Sequence, residues 1–249
     1  MAVVNAHHTE ILAAIQKNSG KASQHTFQDS YLGNTHPRYA IRAPVLRTIA
    51  HAWMKQHRDL SAIAFAKLLT SLIEAESSTE KCMAGILLDY STDEQRNFDP
   101  ALFDHWLDHL IGWAEVDAVC TGDYTAYEID GRWKKWKPLL RKFSKSANIQ
   151  KRRASLVLCC SPVRRQAYPE MAAIIFENID RLKSEKEILI TKAISWILRS
   201  MVKHHAALVQ AYIDANFDTL PRIAIRETQV VLNTGKKTKT VSTRMVKKK

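Results

Sequence analysis

The segment "DPALFDHWLDHLIGWAEVDAVCTG", residues 99–122, carries the signals that decide the fold. Asp99 is a favourable N-terminal cap and Pro100 a favourable first helical residue, so a helix is predicted to begin here. Comparable helical patterns recur before and after it, among them "APVLRTIAHAWMKQH", "LSAIAFAKLLTSLIE", "SSTEKCMAGILLDY", "WKKWKPLLRKFSKS", "ANIQKRRASLVLCC" and "SEKEILITKAISWILRSMVKHH". Caps are also predicted at Ser61 and, with Glu80, at Ser77.

Within that segment, residues 109–122 are predicted to form an amphipathic helix with an unusual apolar side. Trp106, Leu110, Trp113 and Asp117 follow an i, i+4, i+7, i+11 spacing and therefore share one face. A carboxylate in line with two tryptophans is unexpected on a face that packs into a core. Trp106 and Leu110 are predicted to pack in the core, whereas the spacing alone leaves open whether Asp117 is a solvated or capping residue or part of a site.

The helices are about a dozen residues long, and they pair with a loose period of roughly 35 to 45 residues, the range of HEAT-like repeats. The chain of 249 residues has only 7 glycines and 7 prolines, which favours helices over hairpin-rich β structure. An all-α superhelix (solenoid) of HEAT-like repeats with a concave basic surface is predicted, in preference to an ordinary helical bundle. Residues 1–232 form this repeat domain, and 233–249 are predicted to be a disordered basic tail.

The formal net charge of +12 is concentrated in two places. The basic band, residues 131–169, contains no acidic residue, and the tail "GKKTKTVSTRMVKKK" contains none either, so the rest of the chain is mildly acidic. Such asymmetry predicts binding to a polyanion, most often nucleic acid, although a solvated surface is the alternative. The twelve basic residues of the band are Arg132, Lys134, Lys135, Lys137, Arg141, Lys142, Lys145, Lys151, Arg152, Arg153, Arg164 and Arg165.

Several other site classes find no support in the sequence. "TGKKTKT" lacks the spacing of a phosphate-binding loop, and the pairs His7-His8 and His204-His205 lack metal-ligand spacing and are predicted to lie on the surface. The four cysteines are predicted to be reduced and intracellular, with Cys159 as buried packing. No apolar run is long enough for a membrane span and no secretory signal is evident. We therefore predict no metal, no cofactor and no membrane association.

Four blocks in register resemble one known family. They are "YLGNTHPRYAIRAPVLR", "GWAEVD", "NIQKRRASLVL" and "ILITKAISWILRS". Together they resemble the DNA alkylation repair glycosylases of the AlkD type, all-α proteins of HEAT-like repeats that release N3- and N7-alkylated purines from DNA. The resemblance extends to about Leu232. It departs from the family pattern at Gly112, Ala114 and the pair Arg42-Ala43.

The resemblance implies a role for each matching residue. Asp117 would be the catalytic carboxylate, and Trp113 and Trp196 the aromatic walls beside the lesion's deoxyribose. Arg153 would hold the phosphate next to the lesion, and Tyr31 would lie near the lesion on the other side of the duplex. The resemblance further places Arg47 and Arg199 on the DNA-binding surface.

The chemistry of the reaction fits such a site. Alkylation at N3 or N7 makes the purine cationic, so the base can leave without a general acid while positive charge develops on the sugar. A nearby carboxylate stabilises that charge, and flanking tryptophans exclude water. Taken alone, Asp117 is more often a solvated or capping residue, Trp113 and Trp196 core packing, and Arg153 one more cation of the basic band. The pair Trp133 and Trp136 fits repeat packing better than stacking on single-stranded DNA.

The sequence thus predicts a cytoplasmic, nucleoid-associated monofunctional glycosylase acting on duplex DNA with alkylated purines as a monomer. Two alternatives stay open: a non-catalytic HEAT-repeat protein that binds unusual or branched DNA, and a protein-interaction scaffold. The carboxylate at Asp117 distinguishes the enzyme from the first, and salt-sensitive DNA binding distinguishes it from the second.

Overall fold

The computed structural model describes residues 5–19, 33 and 35–237, and this part of the chain is helical with no strand. The predicted all-α helical repeat fold is confirmed. The helices are α1 (Ala6–Lys17), α2 (Ala43–Gln56), α3 (Ala62–Glu74), α4 (Ser78–Tyr90), α5 (Leu102–Trp106), α6 (Gly112–Cys120), α7 (Asp123–Gly131), α8 (Trp133–Ser144), α9 (Ile149–Val157), α10 (Cys160–Arg165), α11 (Pro169–Leu182), α12 (Ile188–Ala215) and α13 (Arg222–Thr234).

The helices stack in two layers. In the inner layer α2, α4, α6, α9, α12 and α13 contact one another in succession. In the outer layer α1 contacts α3, α3 contacts α5, and α8 contacts α11. The hairpins α3–α4, α8–α9 and α11–α12 each join one helix of the outer layer to one of the inner layer. Each hairpin therefore buries its apolar faces against its neighbours, as expected of a helical repeat protein.

Large aromatic side chains fill the space between the layers. Trp106, Phe103 and Trp136 are fully buried, and the rings of Phe103 and Trp136 meet edge to face with centroids 5.0 Å apart. The indole nitrogen of Trp133 donates to Glu170 at 2.8 Å, and its ring is buried. The prediction that Trp133 and Trp136 pack between repeats is therefore confirmed.

Helix starts follow the side-chain signals in the sequence. The Ser61 hydroxyl accepts a hydrogen bond from the Ala64 amide at 3.3 Å. The Ser77 hydroxyl accepts from the Glu80 amide at 3.2 Å and donates to the Glu80 carboxylate at 2.5 Å. These bonds satisfy amide groups that a helix start leaves without partners, so the caps at Ser61 and Ser77 are confirmed. The helix predicted to begin at Pro100 begins instead at Leu102, with Ala101 rather than Asp99 at the cap position.

The prediction of one helical face through Trp106, Leu110, Trp113 and Asp117 is wrong, because the helix is interrupted. Helix α5 ends at Trp106 and α6 begins at Gly112, with the backbone of Ile111 extended and that of Gly112 at φ 75°. Trp106 and Leu110 are buried in the core, as predicted. The helical spacing of apolar residues does not reveal such a break, because buried residues occur on both sides of the turn and continue the pattern.

Two histidines that were predicted to lie on the surface are buried. The His8 ring bonds the Ser71 hydroxyl at 2.7 Å and Glu80 at 2.8 Å, which ties α1 to α3 and α4. His205 lies at a kink inside α12, where its Nε2 accepts a hydrogen bond from the Tyr168 amide at 3.0 Å. Burial lowers the pKa of His205. The prediction of core packing is confirmed for Cys159, which is fully buried.

Two further features concern the ends of elements. Helix α13 continues to Thr234 and ends at Gly235 with φ 68°, so it extends two residues into the predicted tail. Residues 238–249 of that tail lie outside the described residues.

None of the described helices combines the length and apolar character of a membrane span.

Candidate functional site

Helix α6 carries the two site residues at the centre of the predicted constellation. The helix lies between α4 and α9 in the inner layer, with Val116, Val119 and Cys120 buried. Trp113 and Asp117 stand one turn apart and are both partly exposed. The arrangement turns one side of α6 into the core and leaves these two side chains at a surface.

The start of α6 is held by Glu115, a residue to which the sequence analysis gave no role. Its side chain is fully buried, accepts from the Ile111 amide at 2.8 Å and lies 3.0 Å from Nδ1 of His36. The carboxylate therefore connects α6 to the segment before α2. The spacing of residues along the chain does not predict this role of Glu115, because it depends on contacts with Ile111 and His36.

Asp117 forms a bidentate ion pair with Arg153 of α9. Nε of Arg153 donates to one carboxylate oxygen at 2.9 Å and Nη2 to the other at 2.8 Å, while Nη1 donates to the Leu189 carbonyl at 2.6 Å. The side chains are 4% exposed for Arg153 and 14% for Asp117. Arg153 is therefore a buried partner that fixes the orientation of Asp117, rather than a free surface cation.

The environment of Asp117 acts on its protonation in two opposing ways. Burial raises the pKa of the carboxyl, and the charge and hydrogen bonds of Arg153 oppose that effect. Part of the stabilisation that Asp117 would have received from water is thus replaced by a single fixed cation.

The structure brings most of the predicted residues into one cavity of about 680 Å³, here called the first cavity. Trp113 and Asp117 from α6, Arg153 from α9, and Trp196 and Arg199 from α12 all line it. Helix α13 forms another wall. The five residues come from three helices that are distant in sequence, and the stacking of the inner layer brings these helices together.

Arg199 also has a carboxylate partner, on α13. Its Nε lies 3.3 Å from Glu227 and donates to the Ser195 carbonyl at 3.1 Å, while the Ser195 hydroxyl donates to Glu227 at 2.7 Å. The sequence analysis did not single out Glu227. The lining of the first cavity therefore contains two arginine–carboxylate pairs, Arg153 with Asp117 and Arg199 with Glu227.

Arg47 lies elsewhere, in a second cavity of about 570 Å³ between α2, α4 and α6. Asp117 belongs to the linings of both cavities, so the two adjoin at this carboxylate. Together they make a groove along the inner layer from α2 to α13. Tyr31, the remaining predicted residue, lies outside the described residues.

Asp89 is a second carboxyl of the groove, in the wall of the second cavity. It lies in the last turn of α4 and accepts a hydrogen bond from the Tyr124 amide at 3.5 Å. It also packs against Gly122, where an added Cβ would lie 2.2 Å from a carboxylate oxygen of Asp89. The backbone of Gly122 has φ 105°, a value that residues with a side chain rarely adopt. Burial raises the pKa of Asp89 to about 6, and the Tyr124 amide opposes the shift.

We expect Asp89 to make the unfolding free energy pH-dependent. Because its pKa is raised in the folded state from 3.8 to about 6, its contribution is full below about pH 4 and is lost as the pH rises through 6. Asp89→Asn should therefore stabilise the protein relative to wild type at pH 7.5 and much less at pH 4. Urea unfolding at both pH values measures this difference, with the exposed Asp59→Asn as control. Equal gains at the two pH values would contradict the prediction.

The basic band has a different arrangement from the one its composition suggests. Half of its twelve cations pair with carboxylates, namely Arg132 with Glu128, Arg141 with Glu177, Lys142 and Lys151 with Asp104, Arg152 with Glu185, and Arg153 with Asp117. Most of these partners lie 33 to 38 residues away and belong to adjacent repeats. Much of the band therefore connects repeats, and the cations that line the groove include Arg38, Arg47, Arg164, Lys192, Arg199 and Lys237.

The chain is similar to known proteins over most of its length. The family model described as "DNA alkylation repair enzyme" matches residues 9–229. Among solved structures, a predicted DNA alkylation repair enzyme from Enterococcus faecalis is similar with a TM-score of 0.65 and 16% identity, over 81% of this chain and 91% of that one. No curated protein matches the sequence. The structural likeness bears on the fold, whereas the match over most of the sequence shows that the chain belongs to the DNA alkylation repair enzyme family.

Proposed function

We propose that the protein is a monofunctional DNA glycosylase that removes N3- and N7-alkylated purines from duplex DNA by hydrolysis. The observation that carries the proposal is the position of Asp117. It is an oriented, largely buried carboxylate that lines a cavity together with Trp113 and Trp196. Membership of a DNA alkylation repair family supports the same substrate class.

The reaction places one main demand on the protein. The alkylated purine is already cationic and leaves without being protonated, so the enzyme needs to stabilise positive charge on the deoxyribose. Asp117 supplies a negative charge for that purpose and can orient or deprotonate the attacking water. The indole faces of Trp113 and Trp196 exclude bulk water and attract cationic groups, which strengthens the electrostatic effect.

In this proposal Arg153 is mainly a positioning residue. The bidentate pair keeps Asp117 in one rotamer and favours its ionised form despite burial. A phosphate beside the lesion could use the guanidinium N–H groups that Asp117 and Leu189 leave unused. Arg153 would then bridge the carboxylate and the DNA backbone.

The groove suggests how a duplex would bind. Cations line both of its cavities, and contacts to phosphates would make binding dependent on salt and largely independent of base sequence. We expect Arg47→Gln, in the second cavity, to weaken duplex binding and to reduce the slope of log Kd against log salt by about 0.9. Fluorescence anisotropy over a salt series measures both quantities.

The control for Arg47→Gln is Arg58→Gln, which removes an exposed arginine that lines neither cavity. This control should bind like wild type. If the two variants lost affinity equally, the groove would not be the binding surface.

The proposed activity is tested by incubating wild-type protein with methylated duplex DNA and measuring free 7-methylguanine and 3-methyladenine. Release of both bases, with abasic sites left in the DNA, is the expected result. Salt-sensitive binding without release would instead favour a non-catalytic protein that recognises unusual DNA. If the protein neither binds DNA nor releases a base, the result would favour an interaction scaffold.

A further inference from the structure

Outside the lining of the groove, three potential metal ligands meet where α1 approaches the end of α2. His7 and Glu10 lie one turn apart on α1, and His57 follows the last residue of α2. Nε2 of His57 is 3.3 Å from Oε2 of Glu10, and Nδ1 of His7 is 4.0 Å from the same oxygen. All three ligand atoms lie within 4.8 Å of one another.

The Nε2 atom of His57 is the second observation that points to a ligand. It is buried, yet it makes no hydrogen bond, even though the Glu10 carboxylate is close. The two atoms thus approach each other without the geometry of a hydrogen bond. A tetrahedral zinc ion with bonds of about 2.0–2.1 Å holds its ligand atoms about 3.3 Å apart, which matches this separation. A small rotation of His7 would bring its nitrogen to the same distance.

The surroundings already orient two of these side chains. The indole nitrogen of Trp53 donates to Oε2 of Glu10 at 3.0 Å, and the His57 ring stacks on the Trp53 ring with centroids 4.3 Å apart. Hydrogen bonds of this kind to a ligating carboxylate are typical of metal sites. The side chains of His7, Glu10 and His57 are 32%, 48% and 24% exposed, so an ion can enter and a water molecule can complete its coordination.

We propose that His7, Glu10 and His57 form a zinc site that fastens α1 to the end of α2. Two imidazoles and one carboxylate with an open fourth position are a ligand set that Zn²⁺ favours. The site is independent of the repair chemistry, since none of its residues lines the groove. Its role is to stabilise the first repeat, because the ion would join two helices through side chains about 50 residues apart in sequence.

A second cluster in the described chain provides a matched control. Glu74, His105 and His109 also lie within reach of one ion, but His105 already bonds Glu74 at 2.7 Å and both of these residues are exposed. Their donor atoms are therefore satisfied by each other, and nothing comparable to Trp53 orients them. We expect no zinc site there.

The test uses the untagged full-length chain, freed of metal with a chelator and titrated with Zn²⁺ alone against a chromophoric competitor. We expect one equivalent to bind, with affinity lowered at least about tenfold by His57→Gln and by Trp53→Phe and unchanged by His105→Gln. Zn²⁺ should also raise the thermal midpoint of wild type and of His105→Gln, but not of His57→Gln.

Two results would overturn the proposal. One is an absence of saturable Zn²⁺ binding by wild type in the micromolar range, and the other is loss of binding in His105→Gln with retention in His57→Gln. If His57→Gln does not fold, His7→Gln decides the question, because His7 is more exposed and its loss removes only a ligand. None of these measurements uses DNA or glycosylase activity, so they stand apart from the proposed function.

Discussion

Replacing Asp117 with asparagine should lower the rate of methylpurine release by about 10²–10³ while duplex binding is retained. The substitution keeps the size of the side chain and removes the negative charge that would stabilise the developing sugar cation. Single-turnover release of 7-methylguanine from methylated duplex, measured with enzyme in excess over DNA, gives this rate directly.

The asparagine variant also leaves Arg153 buried without its anionic partner, and removing one member of such a pair destabilises a protein. Its unfolding free energy must therefore be measured first, and the rates compared at a temperature where both proteins are folded. The matched control is Asp218→Asn, an exposed aspartate outside the groove, which should react like wild type. Equal rates for wild type and Asp117→Asn would remove Asp117 from the mechanism.

The substitution Gly85→Ala should have the largest expected effect on stability. Gly85 of α4 faces α6 so closely that an added Cβ would lie 2.0 Å from the carbonyl oxygen and 2.4 Å from the carbonyl carbon of Ala118. These atoms belong to the backbone, so α6 must move as a unit. We expect a loss of at least about 1–3 kcal/mol in unfolding free energy, or roughly 2–4 °C in Tm for each kcal/mol.

The same substitution should reduce the proposed activity, because Ala118 is adjacent to Asp117. The control is Gly131→Ala in α7, where an added Cβ meets nothing within 4 Å. Alanine favours helices more than glycine, so this control should be as stable as wild type or slightly more stable. Thermal unfolding of both variants measures this difference. Equal midpoints for Gly85→Ala and Gly131→Ala would contradict the prediction.

The sequence predicts the helices well because their determinants are local. Caps such as Ser61 and Ser77 act within one turn, and apolar spacing marks which side of a helix is buried. The break between α5 and α6 escapes this reasoning, since it depends on a positive φ at Gly112 and on the Glu115 carboxylate that binds the Ile111 amide. The spacing of apolar residues indicates which residues are buried, and buried residues such as Leu110 occur in the turn as well as in the helices.

The candidate site divides in a similar way. Motif resemblance was sufficient to select Asp117, Trp113 and Trp196, and the structure collects them in one cavity; their roles remain predictions. The partners of the arginines could not be predicted, because Glu227 and most acceptors of the basic band come from other repeats. Charge counted along a chain cannot distinguish a cation that faces DNA from one that is neutralised by a neighbouring repeat.

The bonds of Arg153 reach across three successive inner helices, from Asp117 on α6 to the Leu189 carbonyl on α12. The position of the candidate carboxylate therefore depends on how three repeats are stacked, and not on α6 alone. A substitution that shifts α9 or α12 would loosen the ion pair without touching the cavity, and the pKa of the buried Asp117 carboxyl would rise further. Such a change would narrow the pH range in which Asp117 is ionised, so a defect in a distant helix would be detectable as a shift in the pH profile of the proposed activity.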